Sequence, residues 1–323
     1  MKKAIFNIPY FGKLPYYYDV WAKTAGSNKD FCFWILTDDS EISSQYDNIK
    51  ITHMSFEELK ERIQGAFDFP IGLTSPRKLC DFKPTYGYVF ESEIKEYQYW
   101  GYCDIDVVLG DLNSTIPIED GYDKLFAHGH MTLLKNTPDI NRMFMSTLAE
   151  CPETYREILS DTENHIFDET SDGLNINLIA KKCGAKLYFD YNIADITPYS
   201  YLFKRSLYDY GCPTKQGRSV KSEDISKQIF YWENGKLFRY ALNGQGELVT
   251  EEFRYFHFQK RDMKIENILD CDSFLIVPNA MIPFDREVTK DIIDKFTKDK
   301  FIYPQYYKLK WKNLKKKLRR IVS

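Results

Sequence analysis

Tyr99-Trp100-Gly101-Tyr102-Cys103-Asp104-Ile105-Asp106 is the stretch on which the fold turns. Its first five residues carry no charge and three rings, which reads as a buried strand, and the run ends on two acids at i and i+2. That spacing puts both carboxylates on one face of an extended segment. Hard divalent cations such as Mg²⁺ and Mn²⁺ take oxygen ligands of this kind and commonly share them with phosphates. Two neighbouring carboxylates repel, so a cation is their natural partner. The competing reading is a strand-end turn in which the acids accept local amide N–H groups.

Upstream, Ala4-Ile5-Phe6-Asn7-Ile8 reads as a first strand ended by Pro9 and Gly12. Residues 14–25 read as a helix, Phe31-Cys32-Phe33-Trp34-Ile35-Leu36 as a second strand, and Ile49 to Met54 alternates as a third. Ser55-Phe56-Glu57-Glu58 has capping-box spacing, which predicts a helix starting at Ser55. Strand, helix, strand, strand, helix implies an α/β domain with a mainly parallel sheet, whose ligands gather at the carboxyl ends of the strands. Pro76 to Phe90 predicts a helix broken near Pro84.

Downstream, short strands are expected at 124–127, 131–134 and 186–189, with helices around 138–149, 153–160 and 174–183. Gly184 is placed to close the last of these helices. Gln228 to Trp232 and Lys236 to Tyr240 flank Glu233-Asn234-Gly235, a strong hairpin signal. Phe253 to Gln259 and Ser273 to Val277 read as further strands, and the polar stretch 211–227 as the one linker. No internal repeat or low-complexity segment is visible.

The run from Lys78-Leu79-Cys80-Asp81-Phe82-Lys83-Pro84-Thr85-Tyr86-Gly87-Tyr88-Val89-Phe90 to Asp104-Ile105-Asp106, with Phe167-Asp168-Glu169 and Phe256-His257-Phe258-Gln259-Lys260-Arg261, resembles bacterial glycosyltransferases of GT-A type from capsule and lipopolysaccharide biosynthesis. The likeness spans roughly residues 4–262. It implies a GT-A fold with a mixed central sheet over residues 1–300. A nucleotide-binding part would lie in 1–110 and an acceptor-side part in 111–300. It also implies Mn²⁺ or Mg²⁺ and a nucleotide-sugar donor, UDP-linked by preference. Asp106 would ligate the cation, Asp104 would meet the cation or the ribose, and His257 would complete the metal site. By two-residue alternation, a strand through His257 brings Gln259 and Arg261 to the same face. Without the motif, His257 reads as a buried, hydrogen-bonded strand histidine.

Similar families hold the donor sugar and phosphates on a helix face corresponding to Arg77, Lys78, Asp81 and Lys83, where i, i+3 and i, i+4 spacings cluster the charges. A surface ion-pair cluster is the plainer alternative. At the first strand end, Tyr10 or Phe11 could stack on a uracil ring, Gly12 permits close backbone approach, and Asp38 could accept from base or ribose. Equally, Tyr10 and Phe11 fit as core rings and Asp38 as a turn residue. Asp168 and Glu169 match the acceptor-facing acid of GT-A folds. They would act as general base in an inverting enzyme, or orient substrate and stabilise the transition state in a retaining one. Asp172 is the alternative acid, or a helix cap.

Other classes lack their signatures. No G-x-G-x-x-G follows the first strand, and no Walker loop, G-x-S-x-G elbow or H-E-x-x-H helix occurs. Two readings compete with a transferase. A metal-dependent phosphoesterase would need more clustered His and Asp ligands than five scattered histidines suggest. A non-catalytic carbohydrate-binding protein would suit the 16% aromatic content but leaves Asp104, Asp106 and His257 without a joint purpose.

Charge is unevenly placed. The net charge is −3 over 323 residues. The segment 301–323 holds Lys308, Lys310, Lys312, Lys315, Lys316, Lys317, Arg319 and Arg320 and no acid, so it carries +8 and leaves −11 on residues 1–300. Tyr307, Trp311, Leu314, Leu318 and Ile321 recur at helical spacing, which predicts a basic amphipathic C-terminal helix. A Trp-bearing apolar stripe flanked by lysines fits an anionic membrane surface; packing on the body is the alternative. The acidic body argues against nucleic acid as a partner. Mean hydropathy is −0.47 and no run approaches the ~18 apolar residues of a membrane span. Seven cysteines without a C-x-x-C pair, and a first strand that begins where a leader would, point to a reducing cytosol. The sequence thus reads as a cytoplasmic enzyme, peripheral on the inner membrane face, acting on a glycan or lipid-linked oligosaccharide acceptor.

Overall fold

The alternation of apolar runs and amphipathic segments builds a mixed α/β architecture with several sheets, described here for residues 2–209, 219–223, 225–300 and 302–322 of a computed structural model. The first half follows the apolar runs. Strands β1 (Lys2–Pro9), β2 (Phe31–Thr37), β3 (Ile49–His53) and β4 (Tyr97–Cys103) form a parallel block in the order β3-β2-β1-β4. β2 is buried on both faces, as continuous apolar runs in parallel sheets are. Beyond β4 the sheet turns antiparallel through β7 (Met131–Lys135) and β6 (Lys124–His128) and ends in the short β8 (Leu187–Tyr188). This seven-stranded sheet draws strands from both sides of residue 110.

Helix α1 (Tyr18–Gly26) and helix α2 (Phe56–Gly65) cover the parallel block. The Ser55–Glu58 capping box is formed as expected. α1 starts four residues later than the apolar pattern suggested. Its start follows Pro15, whose carbonyl accepts from the Tyr18 N–H. Pro76–Val89 is a chain of single turns, with Pro84 opening one of them. The span around 138–149 holds only two short turns, Pro138–Arg142 and Met143–Met145.

Three smaller sheets complete the fold among the described residues. β12 (Gln228–Glu233) and β13 (Lys236–Leu242) form the hairpin, with Asn234 and Gly235 both at positive φ, as a tight primed turn requires. β14 (Leu248–Phe253), β17 (Ser273–Val277), β18 (Ala280–Pro283) and the two-residue β16 (Lys264–Ile265) extend that sheet to six strands. The run read as one strand over 253–259 is divided. Phe253 closes β14 against β13, whereas β15 (Tyr255–His257) joins a separate three-stranded sheet. In that sheet β15 lies between β5 (Val107–Leu109), antiparallel, and β9 (Ile193–Asp195), parallel. The expected linker 211–227 is corrected in part. Ser219–Ser222 is β11, paired with β10 (Ser206–Asp209), while 211–218 and 224 lie outside the described residues.

Pro304–Val322 is a helix. Its first turn is tied to the body through Gln305 to the Lys260 carbonyl (2.6 Å) and Lys308 to Asp262 (3.1 Å). Tyr307, Trp311, Leu314 and Leu318 remain exposed along one stripe. Among the described residues no helix is long and apolar enough to cross a membrane.

Candidate functional site

The strand order β3-β2-β1-β4 reverses direction between β1 and β4, and the carboxyl ends of those two strands are where open α/β sheets form ligand crevices. β4 leads into Asp104-Ile105-Asp106 there. Ile105 turns into the core, and the two acids flanking it stay partly exposed. Two backbone bonds hold the motif: Asp104 N–H donates to the His130 carbonyl (3.0 Å) and Phe258 N–H to the Asp106 carbonyl (3.2 Å).

The second bond reflects the register of the small sheet. His257 pairs with Val107 on one side and with Asp195 on the other. The imidazole therefore sits between two carboxylates, with Nε2 3.4 Å from Asp106 Oδ1 and Nδ1 2.9 Å from Asp195 Oδ1. One ligand atom from each of Asp104, Asp106 and His257 lies within 4.8 Å of the other two. An ion with ~2.1 Å bonds spans at most about 4.2 Å between opposite ligands, so small side-chain shifts would close the set. Two carboxylates and one imidazole suit Mn²⁺, and Mg²⁺ less well.

Burial alone would push the His257 pKa down, but Asp106 and Asp195 outweigh it and hold the imidazolium well above its usual range. Asp195 is likewise kept well below the carboxylate range: burial opposes this, and the hydrogen bond and charge of His257 overcome it. A proton and a cation compete for Nε2, while Asp195 keeps Nδ1 as the donor, the arrangement that orients histidine ligands in many metal sites. Asp195 also accepts from Tyr208 and Gln259. Neither Asp195 nor Tyr208 carries a local sequence signal, because both reach the site only through sheet register.

Lys83 binds the other side of the motif. Its Nζ lies 2.9 Å from Asp104 Oδ1, 2.7 Å from the Gly129 carbonyl and 3.3 Å from Asp168 Oδ2. Burial would lower the Lys83 pKa, but the Asp104 and Asp168 charges raise it well above normal. Asp168 is buried behind Lys83, and burial pushes its carboxyl up to about 7, with Glu169 and Asp104 adding to the rise and Lys83 opposing it. Glu169 is half-buried beside it and accepts from Gly129 N–H at 3.4 Å. A Cβ at Gly129 would lie 2.4 Å from Asp168 Oδ2, so a larger residue there would displace that carboxylate. Asp172 is exposed in the following turn.

Tyr10 and Phe11 separate. Burial raises the Tyr10 pKa, and the Asp106 charge adds to it. Phe11 points to the other side of the sheet, where its ring meets Phe56 of α2 edge-on at 5.4 Å. Tyr17, which the sequence did not single out, also feels the charges of Asp106 and Asp104 after its own burial. Asp38 is exposed and accepts from Gly12 N–H (2.7 Å), pinning the loop after β1 where Gly12 takes φ +90°.

Three expected donor contacts are corrected. Lys78 and Asp81 are fully buried and paired at 2.9 Å. Lys78 also donates to the carbonyls of Ile158 and Glu163, and Asp81 accepts from His165 and Phe167 N–H groups. They staple the chain that delivers Asp168 and Glu169, and have no surface to offer a ligand. Arg261 is also buried and spends its guanidinium on the carbonyls of Thr197, Ser200 and Tyr201 and on Asn279. The alternation that would have turned it toward His257 fails because β15 ends at His257 and Gln259 takes a positive φ. Arg77 remains exposed. A cavity of about 710 Å³ lined by Lys2, Lys29, Lys50 and Tyr97 lies at the opposite, amino-terminal edge of the parallel strands.

A model of one protein family, described as a family of unknown function (DUF6625), matches residues 6–285 of this chain. None of the curated proteins matches it.

Proposed function

We propose that this chain, which belongs to that family of unknown function, is a metal-dependent glycosyltransferase of GT-A fold that moves a sugar from a nucleotide diphosphate, UDP by preference, to a surface-glycan acceptor. The observation that carries this reading is the convergence of Asp104 and Asp106, from the end of one strand, with His257, from a strand about 150 residues later, at the carboxyl edge where the strand order reverses. A bound Mn²⁺ or Mg²⁺ would neutralise charge on the departing diphosphate and so lower the barrier to its departure. The chain's own residues do the rest. Asp106 and His257 would hold the ion, and Asp195 fixes the His257 ring. Lys83 orients Asp104 and would add positive charge near a bound diphosphate. Tyr10, close enough to Asp106 to feel its charge, would flank the base or ribose, and Asp38 shapes the loop beside it. Of the acidic pair, half-buried Glu169 is the one open to an acceptor hydroxyl, while Asp168 acts through Lys83.

The exposed Tyr307–Trp311–Leu314–Leu318 stripe supports a second part of the proposal. The enzyme works at the inner face of the cell membrane, with the basic helix on anionic lipid and a lipid-linked oligosaccharide as acceptor.

The test is calorimetric binding of UDP with and without Mn²⁺ to the full chain and to Asp106→Asn, followed by donor hydrolysis. Mn²⁺-dependent UDP binding that is lost in Asp106→Asn is expected. UDP binding that ignores both Mn²⁺ and the substitution rejects the proposal.

A further inference from the structure

Beside the outer cluster lies a second group of side chains, of which His130 has no part in the reading above. The loop joining β6 to β7 reads His128-Gly129-His130. His130 is 7% exposed, and its Nδ1 lies 2.8 Å from the Tyr255 hydroxyl. Its Nε2 is buried and has no hydrogen-bond partner among the described residues. The His130 ring lies 4.2 Å from the His257 ring and 4.6 Å from the His128 ring. One ligand atom from each of His130, Asp195 and His257 lies within 4.8 Å of the other two, and all three residues are buried.

A ring nitrogen buried without a partner is costly and calls for an explanation. When Nδ1–H donates to Tyr255, Nε2 is a bare, buried lone pair. Two imidazoles and one carboxylate form a set that matches a borderline transition metal. Mg²⁺, which prefers oxygen and keeps its waters, is disfavoured. A tetrahedral site with ~2.0–2.1 Å bonds puts its ligand atoms about 3.3–3.5 Å apart. Here the His257–Asp195 separation is 2.9 Å and the set spans at most 4.8 Å, so shifts of an ångström or less would close it.

We propose that His130, Asp195 and His257 form a second, buried cation site that takes Zn²⁺ or a similar transition-metal ion and competes with the outer site for His257. The competition follows from the chemistry of one ring. A neutral imidazole offers a single lone pair. With Nδ1–H donated to Asp195, Nε2 serves the outer acids. With the proton on Nε2 and facing Asp106, Nδ1 serves the inner site. An ion in the inner site therefore takes His257 from the outer one. The inner site needs no donor or acceptor, so it stands or falls independently of sugar transfer.

The experiment uses the full chain and three probes: Zn²⁺ titrated against a chromophoric chelator, Co²⁺ followed by visible absorption, and Mn²⁺ followed by electron paramagnetic resonance. The wild type is expected to bind one Zn²⁺ tightly, to give the intense absorption of tetrahedral Co²⁺, and to lose Mn²⁺ as Zn²⁺ is added. His130→Phe, which keeps a ring in the stack, should lose more than about 100-fold in Zn²⁺ affinity and retain Mn²⁺ binding. Asp104→Asn/Asp106→Asn should retain Zn²⁺. Equal Zn²⁺ affinity in wild type and His130→Phe overturns the proposal, as does loss of Zn²⁺ in the double variant. A wild type without tetrahedral Co²⁺ absorption overturns it before any variant is made. Failure of the transfer reading would show elsewhere, as Mn²⁺-independent UDP binding.

Discussion

Asp81→Ala should destabilise the protein by several kcal/mol while leaving its metal chemistry intact. The carboxylate is fully buried and holds three groups. Lys78 Nζ donates to it at 2.9 Å, and the N–H groups of His165 and Phe167 donate at 2.9 Å each. Truncation leaves the Lys78 ammonium buried with only the carbonyls of Ile158 and Glu163. Breaking one partner of a buried ion pair costs about 3–5 kcal/mol. The two orphaned N–H groups would add about 1–3 kcal/mol each if they found no water, so 3 kcal/mol is a floor. At about 2–4 °C per kcal/mol this is a drop of on the order of 10 °C in Tm. Lys78→Met/Asp81→Ala, which removes both charges, should recover the part of the loss due to the unpaired ammonium but not the part due to the two N–H groups. Urea denaturation of wild type, both single variants and the double variant gives the cycle. A single-variant cost below about 1 kcal/mol, typical of exposed pairs, would refute the scaffolding role and reopen Lys78 and Asp81 as ligand contacts.

Lys124 is fully buried, and burial lowers its pKa to about 7. The unfolded chain then binds a proton between about pH 7 and 10.5 that the folded chain does not, so stability rises with pH across that window. Lys124→Met should flatten that slope and raise the urea midpoint at pH 7; an unchanged slope would refute it. Gly101→Ala should disrupt the β4–β7 ladder, because a Cβ there would lie 2.0 Å from the Thr132 carbonyl oxygen. A loss of at least about 1–3 kcal/mol is expected, read by urea denaturation, and a neutral result would sink the packing argument. Trp311→Ser/Leu314→Ser should abolish flotation with phosphatidylserine vesicles without changing Tm, since both side chains are exposed. Undiminished flotation would reject the membrane surface as the helix's partner.

Much of the parallel block could be read from the chain, because each strand there is a local apolar run bounded by its own stop signals. Ser55 and Glu58, Asn234 and Gly235, and Gly184 at φ +74° do in the structure what their chemistry asks for locally. Errors gathered where the meaning of a residue depends on a distant one. Lys78 and Asp81 have the same i, i+3 spacing whether exposed or buried, and only the chain at 158–167 folding over them decides which. The strand at 253–259 breaks because Phe253 and Tyr255 pair with different sheets, a competition between partners that no local pattern records.

The order of residues alone determined the α/β class, the strand ends at Asp104 and Asp106 and the amphipathic, basic character of the last helix, since these depend on periodicity and composition within a few residues. The tertiary structure decided which groups meet. Register in a three-stranded sheet sets His257 between Asp106 and Asp195, and a loop between two other strands brings His130 beside them. Those contacts span up to 153 positions of sequence between Asp104 and His257. Separations of that size are closed only by hydrogen-bonded strand pairing and burial of the core.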